Sequence, residues 1–239
     1  MHIHYFQHNH FEDLGYIGEW AKSNHIGTSV TRFDLKPELP SHKDFDWLVV
    51  MGGAMGVNDS DQYPWILSEI EFIKITIQAG KIVIGVCLGS QMIASALGAR
   101  VYKNSEPEMG FWPVKFLPAA KQDIVFRYFP IELDVMHFHF DTFTLPEGAV
   151  AMAESTVTPV QAFRFGKNVF ALQFHSELTE LNTPTFIKEL ATEIVPGILV
   201  QNPDEMLQKT DSCRLNNEIF VKVLNEILQI PRDASGMNI

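Results

Sequence analysis

The sequence predicts an α/β fold with a doubly wound, mostly parallel sheet, and three observations carry that prediction. FDWLVVMGG and KIVIGV are continuous apolar runs that end in or contain glycine, the pattern of strands covered on both faces. Each is followed by a stretch of helical period: PWILSEIEFIKITIQAG, with Ile66, Ile70, Ile73 and Ile77 in step, and LGSQMIASALGA. MHIHYF, FEDLGYIGEWAKSNHIG and TSVTRFDL supply a strand–helix–strand opening.

Taken in order, MHIHYF alternates loosely and reads as the first strand, the next stretch as a helix ending at Gly27, and TSVTRFDL as the second strand. The loop after FDWLVVMGG, GGAMGVNDSDQYP, is polar and glycine-rich, and the helix that follows is bounded by Pro64 and Gly80. From about residue 100 the pieces shorten and gain Pro and Gly punctuation: ARVYKN, GFWPVKFL, FRYFP, DVMHFHFDTFTLP, AVAMAES, VQAFRFG and NVFALQFHSE. These predict antiparallel hairpins added to the parallel core. PTFIKELATEIV reads as a helix, and PDEMLQKTDSCRLNNEIFVKVLNEILQI as an amphipathic helical extension, with Ile219, Val223 and Ile227 four apart. The expected organisation is a domain over residues 1–195 and an extension over 196–239 that packs on it or on a partner.

At 239 residues and 46% hydrophobic, the chain can bury a full core. Its net charge of -11 lacks the basic footprint of a nucleic-acid binder. No apolar run approaches the ~20 residues of a membrane span, and the N-terminus lacks the pattern of a secretory signal. Two cysteines, Cys87 and Cys213, make no disulfide framework and no C-x-x-C pair. A soluble protein of the reducing cytoplasm is expected.

GVCLGSQ places Cys87 between Gly85 and Gly89 where a strand turns into a helix. Such a corner exposes its central residue above the sheet edge, with small neighbours two positions to each side, as in the G-x-S-x-G elbow. The helix beginning at Leu88 would aim unpaired N–H groups at the thiol and favour its thiolate. An isolated cysteine in an apolar run is more often a small core residue, so the corner needs a partner. FALQFHSE offers one: His175 follows a predicted strand, and Glu177, two residues on, can orient its imidazole.

GVCLGSQ together with QFHSE resembles the class I glutamine amidotransferase family over about residues 45 to 178. The resemblance implies a flavodoxin-like domain in which Cys87 is the nucleophile, His175 the acid/base and Glu177 its orienting partner. It also implies an oxyanion hole from the backbone N–H groups of Gly53 and Leu88, and a place for Gln91 against bound glutamine. His139 and Asp141, in HFHFDTF, match a stretch bordering the substrate pocket. The sequence departs from the family where Ser176 replaces the usual proline and Ala54 stands where many relatives have proline. His137 and His139 could face one way on a strand as a metal pair, but no third ligand is in view, and His2, His4, His8 and His10 read as a polar strand face. No metal and no cofactor are expected.

MGGAMGVND, the Tyr-Pro-Trp segment and EMGFWPV are most similar to the glutaminase domain of GMP synthase. No Walker-type phosphate loop is present for an ATP-driven step. Three readings follow: a glutaminase releasing ammonia from L-glutamine to a synthase partner, a γ-glutamyl peptidase using the same triad, or a binding or regulatory module that has kept the fold. Redox sensing by Cys87 lacks a resolving cysteine nearby in sequence.

Overall fold

A computed structural model describes residues 1–35 and 37–231, and nine strands share one sheet in it. The chain runs β1 (His2–Gln7), α1 (Tyr16–Ser23), β2 (Gly27–Arg32), β3 (Trp47–Val50), α2 (Trp65–Gln78), β4 (Ile82–Val86) and α3 (Leu88–Ala96). It continues through β5 (Val101–Phe116), α4 (Pro118–Gln122), β6 (Glu132–Phe143), β7 (Ala149–Glu154), β8 (Ala162–Phe165) and β9 (Val169–Leu172). Three helices follow, α5 (Thr183–Glu189), α6 (Pro203–Leu207) and α7 (Ser212–Leu228).

The sheet order is β2-β1-β3-β4-β9-β8-β7-β5-β6. The pairings from β2 to β9 are parallel, and those from β9 to β6 antiparallel. The chain moves one way from β1 to β2 and the other way from β1 to β3. Ligand crevices form beyond the strand ends at such a reversal, and the loops after β1, β3 and β4 meet there. The hairpins of the second half thus extend the same sheet, and it curls enough for His175, beyond β9, to bridge to Met136 of β6.

One face of the sheet buries Ile3, Trp20, Trp47, Phe129 and Phe174, and the other Phe6, Phe33, Leu48, Phe72 and Ile93. Helix α7 adds Ile219, Phe220, Val223, Leu224 and Ile227 to the first cluster, each contributing about 2 kcal/mol by apolar burial. The amphipathic face read from the sequence therefore lies on the sheet. Among the described residues no helix is long and apolar enough to cross a membrane. Residues 232–239, the end of the expected extension, lie outside the described residues.

Four local expectations are corrected. Helix α1 begins only at Tyr16: Asp13 accepts the Gly15 N–H, Gly15 takes φ 48°, and residues 8–15 form a loop rather than a first helical turn. FRYFP is a 3₁₀ turn over Phe126–Tyr128 instead of a strand, because Asp123 Oδ1 accepts the N–H groups of both Val125 and Phe126. ARVYKN and GFWPVKFL fuse into β5, whose pairing with β6 shifts register between Lys103 and Glu108. The polar strand face read for the histidines holds only for His2 and His4, which meet Ser29 and Thr31 of β2, while His8 and His10 lie beyond the end of β1. His4 is buried, with Nδ1 2.8 Å from Ser29 Oγ and Nε2 3.0 Å from Thr31 Oγ1, and burial lowers its pKa to about 4.

Candidate active site

The corner between β4 and α3 is a strained one. Cys87 has φ 50° and ψ -110°, a conformation that costs a non-glycine residue about 1–3 kcal/mol. The close approach of neighbouring backbone explains its glycines. A Cβ on Gly89 would lie 2.0 Å from the Val50 carbonyl oxygen, and one on Gly85 would lie 2.6 Å from that of Gly89. The Cys87 N–H donates to Leu172 O at 2.8 Å, tying the corner to β9. Its Sγ lies 3.5 Å from Phe138 O, and Gln173 Nε2 approaches the sulfur at 3.8 Å.

His175 lines the same cleft as Cys87, and Glu177 stands behind it, with His175 Nδ1 2.7 Å from Glu177 Oε1. An ionised carboxylate only accepts, so Nδ1 carries the proton and Nε2 offers its lone pair when the ring is neutral. Nε2 is buried and closes no hydrogen bond among the described residues. Burial opposes the imidazolium, yet the charge of Glu177 and the neighbouring Cys87 raise the His175 pKa well above its ordinary value. The residue is fixed from three sides: its backbone N–H donates to Met136 O at 2.8 Å, Glu177 holds Nδ1, and Phe186 packs on the ring with centroids 5.0 Å apart.

Gly53 and Leu88 line the pocket with Cys87. The Leu88 N–H is a first-turn donor of α3, which has no partner within its own helix. The Gly53 N–H donates to nothing among the described residues. Gln91 reaches the pocket from α3, its Nε2 3.3 Å from Asp141 O and 3.2 Å from Gln173 Oε1. His139 and Asp141 also line it; burial and the charge of Asp59 raise the Asp141 pKa. Every residue picked out from the sequence therefore lines one cleft, except Glu177, which backs His175 from outside it.

Three further residues were not visible as site residues. Glu12, in the loop after β1, lines the pocket. A Cβ on Gly52 would lie 2.0 Å from Glu12 Oε2 and 3.2 Å from His175 Cε1, so this glycine makes room for the carboxylate beside the imidazole. Burial raises the Glu12 pKa and the positive charge of His175 opposes that rise. The Asp13-x-Gly15 turn was the available signal, hidden by reading the stretch as helix. Gln173 shares its parity with His175 and Glu177, and that spacing of two could have revealed it. Glu108, from the irregular part of β5, faces His139 Nε2 at 3.3 Å.

Glu108 also brings a third metal-ligating side-chain type beside the histidine pair: among the described residues, Glu108, His137 and His139 place three such atoms within 4.8 Å of one another. The carboxylate is already occupied, accepting from Ser155 Oγ at 2.6 Å, Thr158 Oγ1 at 2.5 Å and Gln161 Nε2 at 2.8 Å. His137 Nε2 lies 3.3 Å from Trp112 O, and His139 Nδ1 lies 3.0 Å from Asp141 O. Although burial opposes its charge, contact with His139 and His137 holds the Glu108 pKa down to about 2. Burial lowers that of His137 to about 3. The network anchors β6 where it passes over Cys87. Cys213 lies apart from the cleft, buried beside Thr183, and burial pushes its pKa up to about 11.

Residues 19–191 match the family described as glutamine amidotransferase class-I. The glutamine amidotransferase-like protein YfeJ of Salmonella typhimurium is 34% identical over 183 residues, 75% of this chain and 77% of that protein. A glutamine-hydrolyzing GMP synthase subunit from Sulfolobus acidocaldarius is 29% identical over 177 residues, 72% of this chain and 85% of its own. The crystal structure of a glutamine amidotransferase from Methylobacillus flagellatus aligns with a TM-score of 0.87 at 25% identity, over 95% of this chain and 94% of that one. Sequence and fold agree, and the chain belongs to the class I glutamine amidotransferase family.

Proposed function

We propose that the protein is a cysteine-dependent amidohydrolase that converts L-glutamine to glutamate and ammonia through a γ-glutamyl thioester on Cys87. The observation that carries this reading is the strained corner at Cys87 sharing one cleft with His175, which is itself closed onto Glu177. His175 Nε2 holds the Sγ proton before attack, the thiolate then attacks the γ-carbonyl carbon, and the Leu88 and Gly53 N–H groups stabilise the negative oxygen. Collapse of this intermediate breaks the C–N bond, and the imidazolium returns its proton to the leaving nitrogen, releasing ammonia. Water then attacks the thioester, with His175 as base, and releases glutamate and the free thiol. Throughout, Glu177 keeps the ring in one tautomer and stabilises its charged form.

Gln91, His139 and Asp141 shape the pocket for the γ-glutamyl half, with Gln173 beside the sulfur. Residues 1–195 carry the reacting groups, and α7, within the extension over 196–239, braces the sheet with Ile219, Phe220, Val223, Leu224 and Ile227. The relatives named as glutamine-hydrolyzing GMP synthase subunits support a partner that accepts the ammonia. A second reading, hydrolysis of γ-glutamyl peptides, is favoured by the apolar wall of Phe138, Phe186 and Leu190, which can receive a substituted leaving amine. No cofactor enters either scheme.

Glutamate release from glutamine and from a γ-glutamyl peptide, measured side by side with Cys87→Ser as the blank, tests both readings. Turnover of either that vanishes in the blank supports the thioester chemistry, and the preferred substrate decides between them. Silence on both leaves the binding-module reading in its place.

A further inference from the structure

Glu177 depends on the main chain for its position. Its Oε1 meets only His175, and its Oε2 is buried with no hydrogen-bond partner among the described residues. Among the described residues, no side chain other than His175 hydrogen-bonds to this carboxylate. The backbone around it is pinned instead, by donors from both ends of the chain. The Glu177 carbonyl accepts the Tyr16 N–H at 2.7 Å. The carbonyls on either side, of Ser176 and Leu178, both accept from Asn217 Nδ2 at 3.0 Å.

Asn217 is a buried residue of α7, beyond the 19–191 span that matches the family. Its two donor hydrogens suit two carbonyls flanking one residue, a geometry that aspartate cannot supply. Its fixed place follows from α7 itself, which is anchored by Phe220, Val223 and Leu224 in the core. Ser176 stands where the resembling family has proline, so this segment lacks the ring that would fix φ. Neither the Ser176 N–H nor its buried Oγ has a hydrogen-bond partner among the described residues.

We propose that Asn217 is a positioning residue for Glu177, clamping the two carbonyls that bracket it, and that α7 thereby supplies the rigidity proline would give at position 176. The role rests on the amidohydrolase reading. The clamp itself is testable without substrate, because Glu177 acts on Cys87 through His175.

The test compares Asn217→Ala and Asn217→Ser, each with and without Ser176→Pro, against wild type. Two readouts are used: the pH profile of iodoacetamide alkylation of Cys87, and kcat and KM for glutamate release. Alkylation is read on the peptide containing Cys87, because Cys213 is a second free thiol, buried beside Thr183 one helical turn from Asn217. Folding is checked by near-ultraviolet circular dichroism and Tm. The clamp predicts that a folded Asn217 variant alkylates about tenfold more slowly at neutral pH, with its profile moved to higher pH. It predicts a kcat lower by about tenfold or more with KM within about twofold, and recovery of most of both losses on adding Ser176→Pro. If Asn217→Ala does not fold, Asn217→Ser is used in its place. A folded variant with a lower Tm but a wild-type alkylation profile and kcat would overturn the proposal and leave Asn217 a packing residue. If wild type releases no glutamate from either substrate, the amidohydrolase reading fails, while the alkylation comparison still decides the clamp.

Discussion

Cys87 and His175 line one cleft but are held there in opposite ways. Cys87 is placed by its own stretch of chain: a strand, a corner at φ 50° and a helix, with glycines where neighbouring backbone comes too close for a side chain. His175 and Glu177 lie past the end of β9 on irregular chain, and groups distant in sequence hold them: Met136 O, the Tyr16 N–H, Phe186 and Asn217. The reacting atom is thus fixed by local geometry and the groups that serve it by tertiary contacts. Substitutions at the first should act abruptly, and those around the second by degrees.

The largest effect expected is from Cys87→Ser, which should lower glutamate release by about 10⁴-fold or more while leaving the fold intact. Residual turnover near the wild-type level would remove Cys87 from the chemistry. Gly89→Ala comes next, because its methyl group would meet the Val50 carbonyl, a backbone atom that cannot move away alone. A loss of about 3 kcal/mol or more in denaturant stability is expected. A fully stable Gly89→Ala protein would mean the corner is looser than its geometry implies.

Acid should destabilise the fold through buried groups outside the corner. In the folded protein His137 is held to about 3 and His4 to about 4, each below its ordinary 6.5. The unfolded chain therefore binds protons that the folded chain refuses, and stability falls as pH drops below 6.5 towards those values. Glu108, held at about 2 against an ordinary 4.5, adds a loss that begins near 4.5 and is complete only below about 2. Denaturant melts at stepped pH should show a progressive decline through this window, reduced in a His137→Gln variant. A flat profile would show that these histidines are not held neutral.

The smallest effect expected is at Glu12. In its ionised form Glu12 favours the His175 imidazolium, so Glu12→Gln should move the alkaline limb of the kcat/KM profile to lower pH and cost about threefold to tenfold near neutrality. An unmoved limb would confine Glu12 to packing.

The same division governs what could be read from the sequence. Cys87 was legible because a local turn carries local punctuation, and His175 with Glu177 because two residues on an extended chain share a face. The centre of the parallel half was legible for a similar reason, since β3 and β4 are unbroken apolar runs. Glu12 was hidden by a helical pattern that Asp13 and Gly15 interrupt. Glu108 was hidden because it meets His139 only across the β5–β6 pairing. Asn217 gave no signal at all: it occupies one position of an amphipathic helix, and its purpose lies in two carbonyls about forty residues away in sequence. FRYFP misled because aromatic residues favour strands, whereas a single Asp123 side chain turned the backbone into a 3₁₀ helix.

The most direct measurement is to mix the protein with glutamine, or with a γ-glutamyl peptide, quench in acid during turnover, and map the adduct by peptide mass spectrometry. The account predicts a hydroxylamine-labile glutamyl group on the peptide containing Cys87, formed from either substrate and absent in Cys87→Ser. Glutamate release that proceeds with no adduct on Cys87, and survives its replacement, would contradict it.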